Sequence, residues 1–167
     1  MLNRIRLAGI SEDSIIDGPG IRLVFFTQGC DLHCPGCHNP KTWELNGGEI
    51  HDIFDLRKKW KHNPLLDGIT ISGGEPTLQK EAVLRIILLA KEDGLNVVLY
   101  SGYTFENLAS RKDPIIDTIL LNIDYLIDGP FMIEKRSLNL AFRGSLNQRI
   151  IDIRKTLLEN HVVVLER

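Results

Sequence analysis

Apolar residues in this chain gather into short runs, and stretches with helical spacing separate them. Residues 21–26 (Ile-Arg-Leu-Val-Phe-Phe) are apolar and β-rich, and the turn sequence Asp17-Gly18-Pro19-Gly20 precedes them. Residues 49–62 carry Ile50, Ile53, Phe54 and Trp60 at a spacing that predicts a helix. Residues 68–72 read as a second strand. The next segment predicts a helix whose buried side holds Leu78, Ala82, Val83, Ile86, Ile87, Leu89 and Ala90, with Gly94 as its natural stop. Residues 96–100 predict a third strand. Asp113 and Pro114 suit an N-cap and first helical position, ahead of Ile115, Ile116, Ile119 and Leu120. Residues 123–127 and 149–153 predict a fourth and fifth strand, and residues 162–165 an edge strand.

Strands separated by helices predict an α/β fold: parallel strands with flanking helices, the sheet covered on both faces. The units are too few for a closed eight-fold barrel of about 250 residues, so an incomplete (β/α) barrel is expected. No repeat or linker divides the chain, which reads as a single domain over residues 1–167. In such folds ligands bind at the C-terminal ends of the strands. The unusual motifs all fall there: Thr27-Gln28-Gly29-Cys30, Gly73-Gly74-Glu75-Pro76, Ser101-Gly102-Tyr103 and Asp128-Gly129-Pro130.

The balance of 20 Lys plus Arg against 22 Asp plus Glu argues against a nucleic-acid binder or a polybasic membrane-surface protein. No apolar run approaches the roughly 20 residues of a membrane helix. Residues 1–20 hold Asp and Glu where a signal peptide has its apolar stretch, so a cytoplasmic chain is expected.

The cysteines change the picture most. There are 3, and Cys30, Cys34 and Cys37 form C-x3-C-x2-C. Thiolates are soft ligands that suit zinc or iron–sulfur clusters. Three on one loop can each hold one iron of a cubane and leave the fourth iron open. Clusters that only carry electrons normally have four cysteines. A Cys3His zinc shell with His33 or His38 stays open on spacing alone, although one crowded loop strains a tetrahedral shell. Asp, His, Pro, Gly and Asn around the thiols are not a core pattern.

C-x3-C-x2-C after the first strand, with Gly-Gly-Glu after the second, resembles the radical S-adenosylmethionine (SAM) superfamily. The run from Asp17 to Arg22, with Cys30 and Cys34-Pro35-Gly36-Cys37-His38-Asn39, resembles the glycyl-radical activating enzymes. Tyr100-Ser101-Gly102-Tyr103, residues 126–131 and residues 142–149 resemble the branch acting on anaerobic (class III) ribonucleotide reductase. The matching segments run from about residue 13 to about residue 153. The wider superfamily places an aromatic where Gly36 stands; Cys-Pro-Gly-Cys is the form of this branch. That leaves open whether a backbone group or His38 meets the adenine.

The resemblance implies an incomplete barrel of radical-SAM type with a [4Fe-4S] cluster on Cys30, Cys34 and Cys37. It implies that the open iron binds SAM and that reductive cleavage yields a 5′-deoxyadenosyl radical. That radical takes hydrogen from a glycine of the anaerobic reductase large subunit. An external donor such as flavodoxin or ferredoxin would supply the electron. Gly36, His38, Gly73, Gly74, Glu75, Ser101 and Asp128 are the expected cofactor-binding residues. Two glycines permit close backbone approach, and the Glu75 carboxylate suits an ammonium group; a glycine turn with Glu75 at a helix N-terminus is the plainer reading. Ser101 suits ribose or methionine oxygens. Asp128 suits a ribose hydroxyl or a cation, or is simply a turn aspartate. Tyr103, Arg143, Asn147 and Arg149 are candidates for SAM or partner contacts, and Trp43 for packing over the cysteine loop. The alternatives are an activase of formate-lyase type and a zinc-stabilised binding module without catalysis.

Overall fold

The computed structural model describes residues 3–166, which form one mixed eight-stranded sheet with five α-helices. In chain order the elements are β1 (Arg4–Ser14), β2 (Arg22–Thr27), β3 (Glu49–Asp52), α1 (Ile53–Lys61), β4 (Gly68–Gly73), α2 (Lys80–Glu92), β5 (Asn96–Ser101), α3 (Phe105–Ser110), α4 (Pro114–Asn122), β6 (Tyr125–Asp128), β7 (Arg149–Asp152), α5 (Ile153–Glu159) and β8 (Val164–Leu165). The sheet order is β3-β1-β2-β4-β5-β6-β7-β8. None of the described helices is long and apolar enough to cross a membrane.

Parallel pairing holds for the central strands β2, β4, β5 and β6. The outer strands are antiparallel, which corrects the all-parallel expectation. β1 pairs antiparallel with β2 and β3, and β7 with β6 and β8. Both faces of the central strands are buried, but the helices lie on one face only. One large core joins Leu23, Phe25, Ile69, Ile71, Val97 and Leu99 to the apolar faces of α1, α2 and α4. On the other face of the sheet, Val98, Ile127 and Ile150 meet Tyr100, Tyr125, Phe142 and Leu165.

Local chemistry sets the boundaries. Residues 49–52 pair with β1 instead of extending α1, because Asp52 caps the helix by accepting from the N–H groups of Phe54 and Asp55. Asp113 caps α4 in the same way, with Pro114 next. Leu78 is 41% exposed, so the buried stripe of α2 begins at Ala82.

Arg22 lies at the start of β2, 1% exposed, where no carboxylate among the described residues bonds it. Nε donates to Thr70 Oγ1 at 2.7 Å and Nη1 to the Pro19 carbonyl at 2.8 Å. Nη2 donates to the Ile69 carbonyl at 2.7 Å and to Asn96 Oδ1 at 2.9 Å. Burial pulls its pKa down to about 10, which still leaves it charged at neutral pH. The guanidinium thus ties the turn at residues 17–20 to β4 and β5. Arg22→Ala should cost about 3–5 kcal/mol, since it strands several buried acceptors. Urea unfolding should show a lower midpoint at unchanged slope; a midpoint equal to wild type would refute the pin.

Asp93 offers a pH test. It accepts from Arg57 Nε and Nη2 and from Trp60 Nε1, each at 2.8 Å. The Arg57 guanidinium foremost holds its carboxyl well below the usual range. A depressed folded pKa gives stability that is present above the unfolded value of about 3.9 and lost as pH falls below it. Asp93→Asn should therefore flatten the acid limb of stability against pH, leaving less to lose between about pH 4 and pH 2.

Candidate functional site

The cysteine loop leaves the end of β2 and is closed at its base by backbone. Gly29 N–H donates to the Thr42 carbonyl at 2.7 Å, and Cys30 N–H to the Trp43 carbonyl at 3.2 Å. The Gln28 amide reinforces the closure, donating to the carbonyls of Lys41 and Glu44 at 2.9 and 2.7 Å. Inside the loop Cys37 N–H turns back to the Cys34 carbonyl at 3.0 Å, with Gly36 between them at φ +76°. All three thiols are free and half-buried, and all line one cleft of about 130 Å³. Burial pushes the Cys30 thiol above its ordinary pKa. Among the described residues no three His, Cys, Asp or Glu side chains converge on a single ion position. His33 stacks on Trp43 at 4.6 Å, and His38 lies against Phe131 at 5.0 Å.

The opposite wall is glycine backbone. Gly73 and Gly74 line the cleft, and Gly74 and Glu75 donate to the carbonyls of Thr27 and Gly29 at 2.9 and 2.8 Å. A Cβ at Gly73 would sit 2.3 Å from Thr27 N, and one at Gly74 would sit 2.2 Å from the Gly29 oxygen. No side chain fits between these backbones, so the pair must be glycine.

Glu75 sits differently from expectation. It is 1% exposed and does not line the cleft. Oε1 accepts from Ser101 Oγ at 2.9 Å and Gly102 N–H at 2.7 Å; Oε2 accepts from Thr77 N–H at 3.0 Å and from the Thr77 hydroxyl. Its carboxylate is already satisfied by donors from the chain itself. Burial raises its pKa, against the opposing pull of these donors. It also caps the short helical turn Pro76–Gln79, as the plainer reading had it.

The turn after β5 holds the cysteine loop from the side. Ser101 lines the cleft, but its hydroxyl is spent on Glu75. A Cβ on Gly102 would meet Leu32 Cδ1 at 2.1 Å. Tyr103 donates to Asp31 Oδ2 at 2.6 Å, and the Arg111 guanidinium lies 4.3 Å from its ring centroid. Burial, helped by Asp31, pushes the Tyr103 phenol up to about 12. Tyr103 is thus a latch on the loop and does not line the cleft.

Asp128 is wholly buried at the end of β6 and outside the cleft lining. It accepts Phe105 N–H at 2.7 Å and pairs through both oxygens with Arg149, which also holds Glu106. Asp128 thus forms a strand-end ion pair with Arg149. Beyond it, Asn147 Nδ2 donates to the Pro130 carbonyl at 2.7 Å, and its Oδ1 is buried without a partner among the described residues. Arg143 donates to the Gln148 carbonyl at 3.2 Å. Sequence reasoning passed over Gln148, Phe131 and Leu32, which line the cleft. Gln148 and Phe131 lie inside segments already singled out, but nothing in them marks which residues turn inward.

Soft thiols, a glycine cradle and, in the same lining, Trp43, whose buried N–H has no partner among the described residues, fit an iron–sulfur cluster. The three cysteines line the same cleft. The class is that of single-cluster iron–sulfur proteins. The 4Fe-4S single cluster domain family matches residues 16–151. The anaerobic ribonucleoside-triphosphate reductase-activating protein of Escherichia coli (strain K12) is 31% identical over 154 residues, covering 84% of this chain and 94% of that protein. The pyruvate formate-lyase-activating enzyme of Clostridium pasteurianum is 39% identical over 129 residues, 74% of this chain but 54% of that protein. Pyruvate formate-lyase 1-activating enzyme of Escherichia coli (strain K12) is 33% identical over 165 residues, and the match spans 65% of its length. The chain belongs to the iron–sulfur family of glycyl-radical enzyme activases.

Because Glu75 faces its own chain, its removal should register without any ligand. Glu75→Gln should lower the stability of the cluster-free protein by about 2 kcal/mol, since its amide presents donors to donors. Chemical denaturation of Glu75→Gln beside wild type measures this. An unchanged midpoint would return Glu75 to the ligand.

Proposed function

We propose that this chain is a radical-SAM activase that installs a glycyl radical on anaerobic ribonucleoside-triphosphate reductase. The observation that carries the reading is the cleft itself. Three thiols on one loop face a glycine backbone wall at the C-terminal ends of parallel strands. The open sheet is read as an incomplete barrel of radical-SAM type.

Cys30, Cys34 and Cys37 would hold a [4Fe-4S] cluster, and with 3 cysteines in the chain one iron lacks a thiolate. When bound, the cluster would supply one electron for reductive cleavage of SAM into methionine and a deoxyadenosyl radical, which would take hydrogen from the partner's glycine. The protein's own part is binding, orientation and shielding from water. The backbone of Gly73 and Gly74 offers the methionine end of SAM close approach that no side chain obstructs. Gly36 and His38 stand beside Phe131 and Ile133, where an adenine would have aromatic and apolar neighbours. The electron donor is external, of flavodoxin or ferredoxin type.

Gly36 in Cys-Pro-Gly-Cys and the match over 94% of the Escherichia coli reductase-activating protein support the reductase as partner. The higher identity, 39%, to the Clostridium pasteurianum enzyme favours the second reading, an activase of formate-lyase type.

Anaerobic reconstitution with iron and sulfide, then reduction with SAM, should yield 5′-deoxyadenosine, and Cys34→Ala should bring it to background. Addition of the reductase should give a glycyl-radical EPR signal, while formate-lyase should stay silent. A signal only from formate-lyase selects the second reading. Stoichiometric zinc and no product from either would sink both.

A further inference from the structure

Trp43 carries one of two buried side-chain polar atoms that find no hydrogen-bond partner among the described residues. Its indole nitrogen is shut off from solvent, yet the residue lines the cleft together with Cys30, Cys34 and Cys37. A buried N–H with no acceptor costs stability, and folded proteins seldom leave one without reason. The position is not slack. The Trp43 carbonyl accepts Cys30 N–H at 3.2 Å, its own N–H donates to the Pro40 carbonyl at 3.2 Å, and His33 covers one face of the ring at 15° to its plane. The neighbouring Thr42 is anchored on Asn39 through both N–H and hydroxyl. An indole held this firmly cannot easily turn to seek another acceptor.

The acceptors that would belong to this cleft are sulfurs. One N–H···S contact is already present on the loop, from Asn39 N–H to Cys37 Sγ at 3.5 Å. We propose that Trp43 donates its Nε1–H to a sulfur of the cluster held by Cys30, Cys34 and Cys37, and so tunes the reduction potential. The proposal rests on the cluster reading above. Donors to cluster sulfurs favour the reduced, more negative state, and hydrogen bonding is among the factors that set such potentials. Trp43 thereby makes the cluster easier to reduce for a weak external donor.

The test uses the full-length reconstituted protein and reads the midpoint potential by EPR-monitored redox titration, without any turnover. Trp43→Phe should lower the potential, so that at a fixed poise the reduced-to-oxidised ratio falls about tenfold, or 59 mV for one electron. A second variant carries β-(3-benzothienyl)alanine at position 43, which keeps the bicyclic shape but has sulfur in place of the N–H. It should shift the potential in the same direction. If neither variant moves the potential, the proposal is overturned. It is also overturned if Phe shifts the potential and the shape-preserving residue does not, because packing is then the cause. Should Trp43→Phe fail to load iron, the benzothienyl variant decides alone. A wild-type chain that takes up no cluster would overturn both this proposal and the reading beneath it. Intact clusters indifferent to position 43 would overturn only the proposal.

Discussion

The site depends on one buried carboxylate. Taking an ion out of water costs several kcal/mol unless hydrogen bonds replace its hydration. Glu75 meets that condition with donors from Thr77 on one side and from Ser101 and Gly102 on the other. The turns that leave β4 and β5 are therefore locked together. The second of them reaches the cysteine loop, through Gly102 against Leu32 and Tyr103 on Asp31. The first is stitched to the root of the same loop by backbone bonds at Gly74 and Glu75. Strand ends, turns and thiols form one connected unit.

Charge is handled at the two ends of the sheet by different means. At the start of β2, Arg22 is dissolved among neutral oxygens and holds the floor of the helix-free face. At the end of β6, Asp128 and Arg149 neutralise each other and join the antiparallel β7 to the parallel centre. Helices weight one face of the sheet only, which leaves the loops at the rim to close over the other.

The central strands and the helices α2 and α4 were legible in the sequence because apolar runs and caps mark them without ambiguity. β1 was not: only Ile5 and Leu7 alternate inward before Ala8-Gly9 interrupts the pattern. Residues 49–62 imitate a helix throughout, because Ile50, Ile53 and Phe54 fall at helical spacing while Asp52 caps between them. The six residues of α3 are too few to show a period. The site divides along similar lines. Residue types and spacing brought the thiols and the two glycines into view, since both depend on local sequence. Glu75, Asp128 and Tyr103 were legible as residues of this rim, but not the chain contacts that hold them. What each side chain touches is decided by Ser101, Arg149 or Asp31, from 21 to 72 positions away along the chain, and no local pattern records that.

The order in which the cleft's parts leave the ribosome has a consequence for its chemistry. The three thiols lie near the start, whereas Gly129, Phe131 and Gln148 of the same cleft come about a hundred residues later. At translation speeds of roughly 5–20 residues per second, that interval is on the order of 5–20 seconds. Throughout it the cysteines are present but Gly129, Phe131 and Gln148 are not. A nascent chain passes through this window with bare thiols, open to oxidation or to a stray soft metal ion. Delivery of iron is thus best matched to the finished fold.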